Sequence, residues 1–577
     1  MDESNLYSAS SLPVYDMAIE HTADDSEDPI TKNSGSFDSY AQMNSHSFIF
    51  RLPTEILESI FIDCARDYHS KDDAHPTPTV PSWVNVSYVC RHWRNVALHC
   101  PILWTYLFVT SERWTEELLV RSKQAPLSLR LETDHRDEEP PVLSFLEQVM
   151  SHVERIQEVL LDLDLPSLSN HVFLSKLSSP APRLQLLRIS TRSFSSELFS
   201  VLFDGDTPAL RTLELSNCPM PWSSFKLSGL TTLGLYDVPV WFQQDTNKFL
   251  ATLSCMQDLT HLGLDGALAS AAGFLHSTAF QTFQKINLPR LSSLFISAPL
   301  STVIVLLSCI NIPLKTKVRL HCDSERGSSL DDYARFSTLA KRLNMFEEQA
   351  PSMPTIRSLG IATLSPSRST ILLFGAAERD YFAGMTFLNR DRNIPLRISI
   401  PSSRSITRNN WESIICGICC SLPLTNIQSL HVVSPQFSSG FWRKILGHLQ
   451  DLRHFKLSEG DMPDVASLLS CSPHSENADR GPNRIFAPVL EMLELYKIRF
   501  APKPPPECDT HARVVIDVQS LYNALSTRRE SPGRLTMTKC SISFTSSCDT
   551  KFDMVRRWED GHLHVVEEGS AAKESAH

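Results

Sequence analysis

The chain has 577 residues, of which 42% are hydrophobic and 21% charged, enough for more than one globular domain. Its formal net charge is −11, and nine acidic residues stand among the first 50 residues against a single lysine. This balance is not the electrostatic footprint of nucleic-acid binding, which needs a basic stripe, so we expect no nucleic-acid partner.

The N-terminal region, residues 1–47, is rich in Ser, Asp and Asn and has no apolar period, which predicts a disordered acidic tail. It lacks the basic start and apolar run of a secretory signal. The longest strongly apolar stretch, TVIVLLSCI at 302–310, is far shorter than the roughly 20 residues that a membrane span needs. The 14 cysteines are scattered through the chain, which fits buried thiols in a reducing compartment better than a disulfide scaffold. We therefore expect an intracellular protein, cytoplasmic or nuclear, with no membrane partner.

A small helical domain is predicted at residues 48–109. In LPTEILESIFIDC, the apolar residues recur at the spacing of one helix face: Ile56, Leu57, Ile60, Phe61 and Cys64. Pro53 suits the first turn, where its missing N–H costs nothing. After a polar insert at 66–82, WVNVSYVCRHWRNVAL has a second helical pattern. Its apolar face consists of Val86, Val89, Cys90, Trp93 and Ala97. The Pro-led segment CPILWTYLFV closes the domain.

The order of these segments, with LPTEIL, VCRHWRNVA and PILW in succession, resembles the F-box. An F-box is a helical unit that binds a Skp-type adaptor, which is held in turn by a cullin carrying a RING subunit. The adaptor-binding residues that the resemblance implies are Leu52, Pro53, Ile56, Leu57, Ile60, Phe61, Val89, Cys90 and Trp93. The insert at 66–82 departs from the family pattern and could affect docking. A unit of about 60 residues cannot bury so many large apolar groups in its own small core, and the apolar surface left over indicates an interface.

A different pattern fills residues 110–558, where the motif L-x-x-L-x-L, with Ile, Val or Phe allowed, recurs nine times. The copies begin at Leu184, Leu210, Leu230, Leu259, Leu291, Ile356, Ile427, Leu452 and Leu490. Successive starts are 20 to 71 residues apart, against roughly 20–29 for leucine-rich repeats. The two long gaps contain candidate strands, KVRLHC and PLRISIP. Two further candidates precede the first copy: PLSLRLE and the segment from Ile156 to Leu161.

This pattern resembles an irregular leucine-rich-repeat solenoid, in which stacked strands turn alternate side chains into a shared core. The segments NNWESIICGICCSL and LYNALSTRR have the apolar spacing of covering helices. The predicted fold class is therefore α/β, with a helical F-box followed by a leucine-rich-repeat-like solenoid of parallel strands and helices. Only LRTLELSNC carries the Asn or Cys of the family pattern, so the ladder is irregular. An ordinary α/β domain with leucine-rich strands is the alternative. Residues 559–577 read as a polar tail.

Between the last two apolar positions of each repeat strand, one residue is predicted to face solvent on the concave side. The candidates for target binding there are Arg188, Glu214, Phe295, His431, Lys456 and Glu494. Glycine fills the same position in three other copies: Gly234, Gly263 and Gly360. These residues form no charge block, so the sequence does not identify the target.

Catalytic and metal-binding chemistry find little support in the sequence. Cys416 and Cys419 form one C-x-x-C, and zinc needs a second ligand pair. The nearest candidates, Cys508 and His511, lie in a Pro-rich loop. We therefore predict buried thiols, no metal and no cofactor.

The F-box and repeats together resemble the substrate-recognition subunit of a cullin-RING ubiquitin ligase, which recruits a protein target and supplies no catalytic group. Two alternatives are an F-box interaction protein outside ubiquitination and an enzyme with an unrecognised site.

Overall fold

The structure is a computed structural model, and it divides the chain into two compact units, Met1–Cys100 and Pro101–His577. The residues that it describes are 48–70, 82–108, 112–132, 139–163, 179–191, 207–218, 227–240, 243, 245–313, 316–323, 329–340, 356–364, 370–376, 396–401, 408–421, 426–433, 437–461, 489–490, 492–499, 539–544 and 563–567. The predicted tail at 1–47 and the helix in LYNALSTRR lie outside them. The predicted domain boundaries stay predictions.

The described part of the first unit is helical. Its elements are a 3-10 helix (Phe48–Arg51), α1 (Thr54–Ser70), a second 3-10 helix (Ser82–Tyr88) and α2 (Arg91–His99). Helix α1 begins directly after Pro53, whose carbonyl accepts the amide N–H groups of Ile56 and Leu57. It packs against both α2 and the second 3-10 helix. The apolar core consists of Leu57, Phe61, Ala65, Trp83, Val84, Val96 and Ala97.

The second helical pattern is interrupted, where the sequence predicted one helix. Cys90 has extended backbone (φ −161°, ψ 170°), and its sulfur accepts the N–H of Trp93 at 3.4 Å. A side chain that accepts a backbone N–H at this position is an N-cap, so a new helix, α2, begins after Cys90. The predicted face from Val86 to Ala97 is therefore divided between a 3-10 helix and α2.

The second unit is a mixed α/β structure. Its strands are β1 (Tyr106–Leu107), β2 (Leu127–Glu132), β3 (Ile156–Leu163), β4 (Leu186–Thr191), β5 (Thr212–Ser216), β6 (Thr232–Tyr236), β7 (His261–Asp265), β8 (Ile286–Asn287), β9 (Ser293–Pro299), β10 (Ile310–Asn311), β11 (Lys317–Asp323), β12 (Ser358–Leu364), β13 (Thr370–Ala376), β14 (Leu396–Pro401), β15 (Ser429–Val433), β16 (His454–Asp461), β17 (Met492–Arg499), β18 (Lys539–Phe544) and β19 (Leu563–Glu567). Its α-helices are α3 (Glu112–Arg121), α4 (Glu139–Met150), α5 (Thr246–Leu253), α6 (Ala272–Leu275), α7 (Thr278–Gln281), α8 (Leu300–Cys309), α9 (Leu330–Ala340), α10 (Arg408–Ser421) and α11 (Ser439–His448). Short 3-10 helices span Pro101–Trp104, Val153–Arg155 and Leu227–Gly229.

Every strand that the leucine motif predicted is present, as are all four further candidate strands. The helix predicted in NNWESIICGICCSL is α10. Strand β19 lies inside the segment predicted as a polar tail, and it pairs with β18.

One sheet contains seventeen of the described strands. From β1 to β7, then β9 and β11, each strand pairs in parallel with the next. The spatial order then reverses as β14, β13 and β12, with β13 antiparallel to both neighbours. Parallel pairing resumes from β12 through β15 to β19. Strands β8 and β10 form a separate pair.

The register stacks the motif leucines in columns, because each strand repeats the same offset. One column across the first half of the sheet holds Leu129, Val159, Leu187, Leu213, Leu233, Leu262, Leu294 and Val318. All of these side chains are buried. Helix α8 is buried along nearly its whole length and packs against β9 and β11. Helices α8 to α11 pack side by side in chain order.

Burial separates two parts of the sheet. In β2 to β5 and in β11 buried side chains alternate with more exposed ones, so one face is covered and the other is open. In β15 the first four residues are all buried, so both of its faces are covered. Among the described helices, none is both long and apolar enough to cross a bilayer.

Candidate functional site

Helix α1 carries two apolar stripes. Leu57 and Phe61, one turn apart, are fully buried, and they face α2 and the second 3-10 helix in the core of the unit. Ile56 and Ile60, also one turn apart, are 47% and 42% exposed. A single core needs only one stripe, so the second is surplus apolar surface.

Further apolar side chains of the same unit are exposed just before the N-terminal end of each α-helix. Val89, just before α2, is 60% exposed, and its neighbour Tyr88 is 54% exposed. Phe48 and Ile49, ahead of α1, are exposed as well, and the guanidinium carbon of Arg51 lies 5.8 Å from the ring centre of Phe48. Sequence reasoning missed Phe48, Ile49 and Tyr88. The apolar residues of FIFRLP could have indicated that Phe48 and Ile49 belong to this surface.

The predicted adaptor-binding residues fall into three groups by burial. Pro53, Ile56, Ile60 and Val89 are exposed; Leu52, Cys90 and Trp93 are half-buried; Leu57 and Phe61 are buried. The ring of Trp93 lies 5.0 Å from that of Phe61, centre to centre, and so ties α2 to α1.

One comparison with known protein families matches the segment that contains this surface. Residues 49–110 match the family model described as F-box-like. A search of curated proteins found no match to the chain. The exposed stripe of α1 and Val89 lie inside the F-box-like domain.

A second candidate surface is the open face of the sheet, which carries part of a row that contains the predicted residues. In register across the strands stand Arg188, Glu214, Gly234, Gly263, Phe295, Arg319, Arg397, Phe374, Gly360, His431, Lys456 and Glu494. The predicted positions from Arg188 to Phe295 are direct neighbours, as are those from Gly360 to Glu494. Three residues that were not predicted, Arg319, Arg397 and Phe374, separate the two groups.

Four of the positions that were predicted to face solvent are buried instead: Gly234, Gly263, Gly360 and His431. Arg188 is exposed, and its Nε donates to Oε2 of Glu214 at 2.7 Å. Phe295 and Lys456 are half-buried. His431 is only 3% exposed and lies 2.8 Å from the hydroxyl of Ser458, because both faces of β15 are covered. The side chain of Glu494 lies outside the described residues.

The sequence missed the aromatic residue at the centre of this face. The ring of Tyr236 lies over the two glycines of the row: a Cβ added to Gly234 would stand 2.6 Å from its Cε2, and one on Gly263 would stand 2.5 Å from its hydroxyl oxygen. Burial, reinforced by nearby Glu214, raises the pKa of Tyr236. Glycine in two adjacent strands was the signal, since it leaves room for a large neighbour.

Four charged groups act on this tyrosine, Glu214, Arg188, Asp265 and Arg319, and Asp265 also acts on Asp323. Burial raises the pKa of Asp323, and nearby Asp265 raises it further. His321 opposes that shift, with its Nε2 3.5 Å from a carboxylate oxygen of Asp323. The open face is thus a mixed polar and aromatic surface, which suits protein recognition. Among the described residues no group of three His, Cys, Asp or Glu side chains could hold a metal ion.

Proposed function

We propose that this protein is the substrate-recognition subunit of a cullin-RING ubiquitin ligase. Its F-box-like domain docks on a Skp-type adaptor, and its second unit holds a target protein. The observation that carries the proposal is the second, exposed apolar stripe of α1 inside the segment that matches the F-box-like family. We propose that it acts inside the cell, in the cytoplasm or the nucleus.

Docking would bury the stripe. Ile56, Ile60 and Val89 each have roughly half of their surface in water, and burying such a side chain completely contributes on the order of 1 kcal/mol. Leu57 and Phe61 support the stripe from inside the unit, so their contribution to binding is indirect. This division gives the adaptor a preorganised surface rather than a segment that must fold on contact.

The second unit would be an irregular leucine-rich-repeat solenoid. The in-register leucine columns and the row of helices α8 to α11 support this proposal. The antiparallel β13 and the reversed order of β12 to β14 make it irregular.

The target would bind the open face around Tyr236, where Arg188, Glu214 and Phe295 lie in the same sheet region. The aromatic ring and the ion pair supply both apolar and polar contacts. The subunit would then act by proximity, holding the target near the charged conjugating enzyme, and would contribute no catalytic group itself.

Co-expression with a Skp-type adaptor tests the docking step. We expect the full chain to co-elute with the adaptor as one complex, and a variant with Ile56→Asp and Val89→Asp to lose it. Val120→Asp is the matched control, because Val120 is 67% exposed on α3 in the other unit. Leu57 is avoided, since its substitution would disrupt the core. Loss of the complex in the control, or its persistence in the double variant, would contradict the proposal.

The ligase step is tested separately. The same complex, completed with cullin, RING subunit, activating and conjugating enzymes, is expected to add ubiquitin to a protein captured by the second unit. Capture without ubiquitin transfer would leave adaptor docking intact and favour an F-box protein that works outside ubiquitination.

A further inference from the structure

The last two turns of α10 present two thiols to α11. Cys416 and Cys420 are one helical turn apart, and their sulfur atoms are 3.7 Å from each other. Cys416 is buried, whereas Cys420 is half-buried. Cys419, on the neighbouring side of the helix, is fully buried. The pair therefore has an inner and an outer member, and only Cys420 is within reach of solutes.

Helix α11 carries two basic residues, Lys444 and His448, which are also one turn apart. The Nδ1 atom of His448 lies 4.0 Å from the sulfur of Cys420 and 2.7 Å from the carbonyl oxygen of Lys444. A carbonyl can only accept, so Nδ1 carries the proton and donates it to that oxygen. The imidazole of His448 thus lies beside Cys420, and its electrostatic effect favours a negative sulfur.

These contacts shift the pKa values of the two thiols in opposite directions. The hydrogen bond from the Cys416 thiol lowers the pKa of Cys420, and His448 and Lys444 lower it further against the opposing effect of burial. The same hydrogen bond raises the pKa of Cys416, and burial raises that of Cys419. Cys420 is also the most accessible sulfur of the cluster and the one beside His448, so we assign the thiolate to it.

We propose that Cys420 is a site of reversible thiolation by low-molecular-weight disulfides of the glutathione type, with Cys416, Lys444 and His448 as its positioning residues. The Cys420 thiolate attacks one sulfur of the disulfide. The disulfide bond breaks, a new sulfur–sulfur bond to Cys420 forms, and the second half leaves as a thiolate that takes a proton from water. The cation of Lys444, which acts electrostatically on Cys420, would attract the carboxylates of such a peptide.

The mixed disulfide would persist, because Cys416 is poorly placed to displace it. Residues one turn apart in a helix have Cβ atoms about 5–6 Å apart, whereas a disulfide needs about 3.5–4.5 Å. Closing a bond between Cys416 and Cys420 would therefore distort the end of α10. The neutral state of the Cys416 thiol slows its attack further.

Labelling of the full chain with glutathione disulfide at pH 6, followed by peptide mass spectrometry, tests the proposal. We expect Cys420 to gain a glutathionyl group about tenfold faster than Cys255, an exposed cysteine outside the cluster. At this pH a lowered thiol pKa enlarges the thiolate fraction more than it weakens the nucleophile. The difference is expected to vanish in denaturant. Equal rates in the folded protein would overturn the proposal.

Two variants test two of the three positioning residues, Cys416 and Lys444. Cys416→Ala removes the hydrogen-bond donor and Lys444→Gln removes the cation, so each is expected to slow labelling of Cys420 several-fold. Lys248→Gln, an exposed lysine on α5, is the matched control and should leave the rate unchanged. Unchanged rates in both test variants would contradict the assigned roles. Loss of two hydrogens, joining Cys416 to Cys420, would overturn the claim that the mixed disulfide persists.

Discussion

At the scale of single residues, Cys90 has a structural role that its place in the family pattern does not reveal. Its sulfur caps α2 through the N–H of Trp93, and sulfur is a weak acceptor. Oxygen-bearing side chains such as Ser are the favoured caps. The sequence predicted Cys90 on an apolar face, because helical periodicity cannot distinguish a cap from a core position.

We expect Cys90→Ala to weaken α2 by about 1 kcal/mol, and Cys90→Ser to restore or strengthen it. Native-state hydrogen exchange of the amides in Arg91–His99 measures this directly, with about fivefold faster exchange expected for the alanine variant. Cys255→Ala, outside this unit, is the control. Unchanged exchange in Cys90→Ala would mean that the sulfur does not cap the helix.

At the scale of elements, α1 shows what sequence reasoning could and could not predict. The spacing in LPTEILESIFIDC predicted the helix, and α1 confirms it. The spacing could not show which member of each adjacent pair, Ile56–Leu57 and Ile60–Phe61, is buried. Both members of a pair are apolar and lie near the same side of the helix. Only the positions of α2 and the second 3-10 helix decide which stripe is covered.

The two stripes of α1 should differ in what they contribute to folding. We expect Leu57→Ala to lower the free energy of unfolding of the first unit by about 2–5 kcal/mol, because it leaves a cavity in the core. Ile56→Ala, at a half-exposed position, should cost less than about 1 kcal/mol. Hydrogen exchange of the α1 amides compares the two. Similar costs would contradict the assignment of the stripes.

The strands illustrate the same limit. The leucine motif predicted β4 to β7, and the register confirms that they are parallel neighbours. The motif did not predict the reversed order of β12 to β14, because a strand with both faces buried has no signal for its direction or neighbour. His431 was misjudged for the same reason: its strand has no open face.

At the scale of the whole molecule, the F-box-like match crosses the division between the two compact units. Residues 49–110 extend past Cys100 into the 3-10 helix Pro101–Trp104 and strand β1. Strand β1 pairs with Ser128 and Leu129 of β2, and so belongs to the large sheet. Removing the matched segment would therefore also remove a strand at the edge of the sheet.

The open face is confined to part of this sheet, which narrows the search for the target. Its alternating strands β4 and β5 carry Arg188 and Glu214, and the half-buried Tyr236 of the neighbouring β6 lies over two glycines. The covered strand β15 has no open face. The proposed target-binding role would therefore rest on Arg188, Glu214, Tyr236 and Phe295 rather than on the whole predicted row.

The most direct measurement is the affinity of the full chain for a Skp-type adaptor, by isothermal titration calorimetry, with and without the paired change Ile56→Ala and Ile60→Ala. We predict a dissociation constant at least about tenfold larger for the variant, because two half-exposed side chains no longer fill the adaptor groove. Val120→Ala should leave the affinity unchanged. An equal affinity for the folded variant would show that the exposed stripe of α1 is not the docking surface, and the central claim would fail.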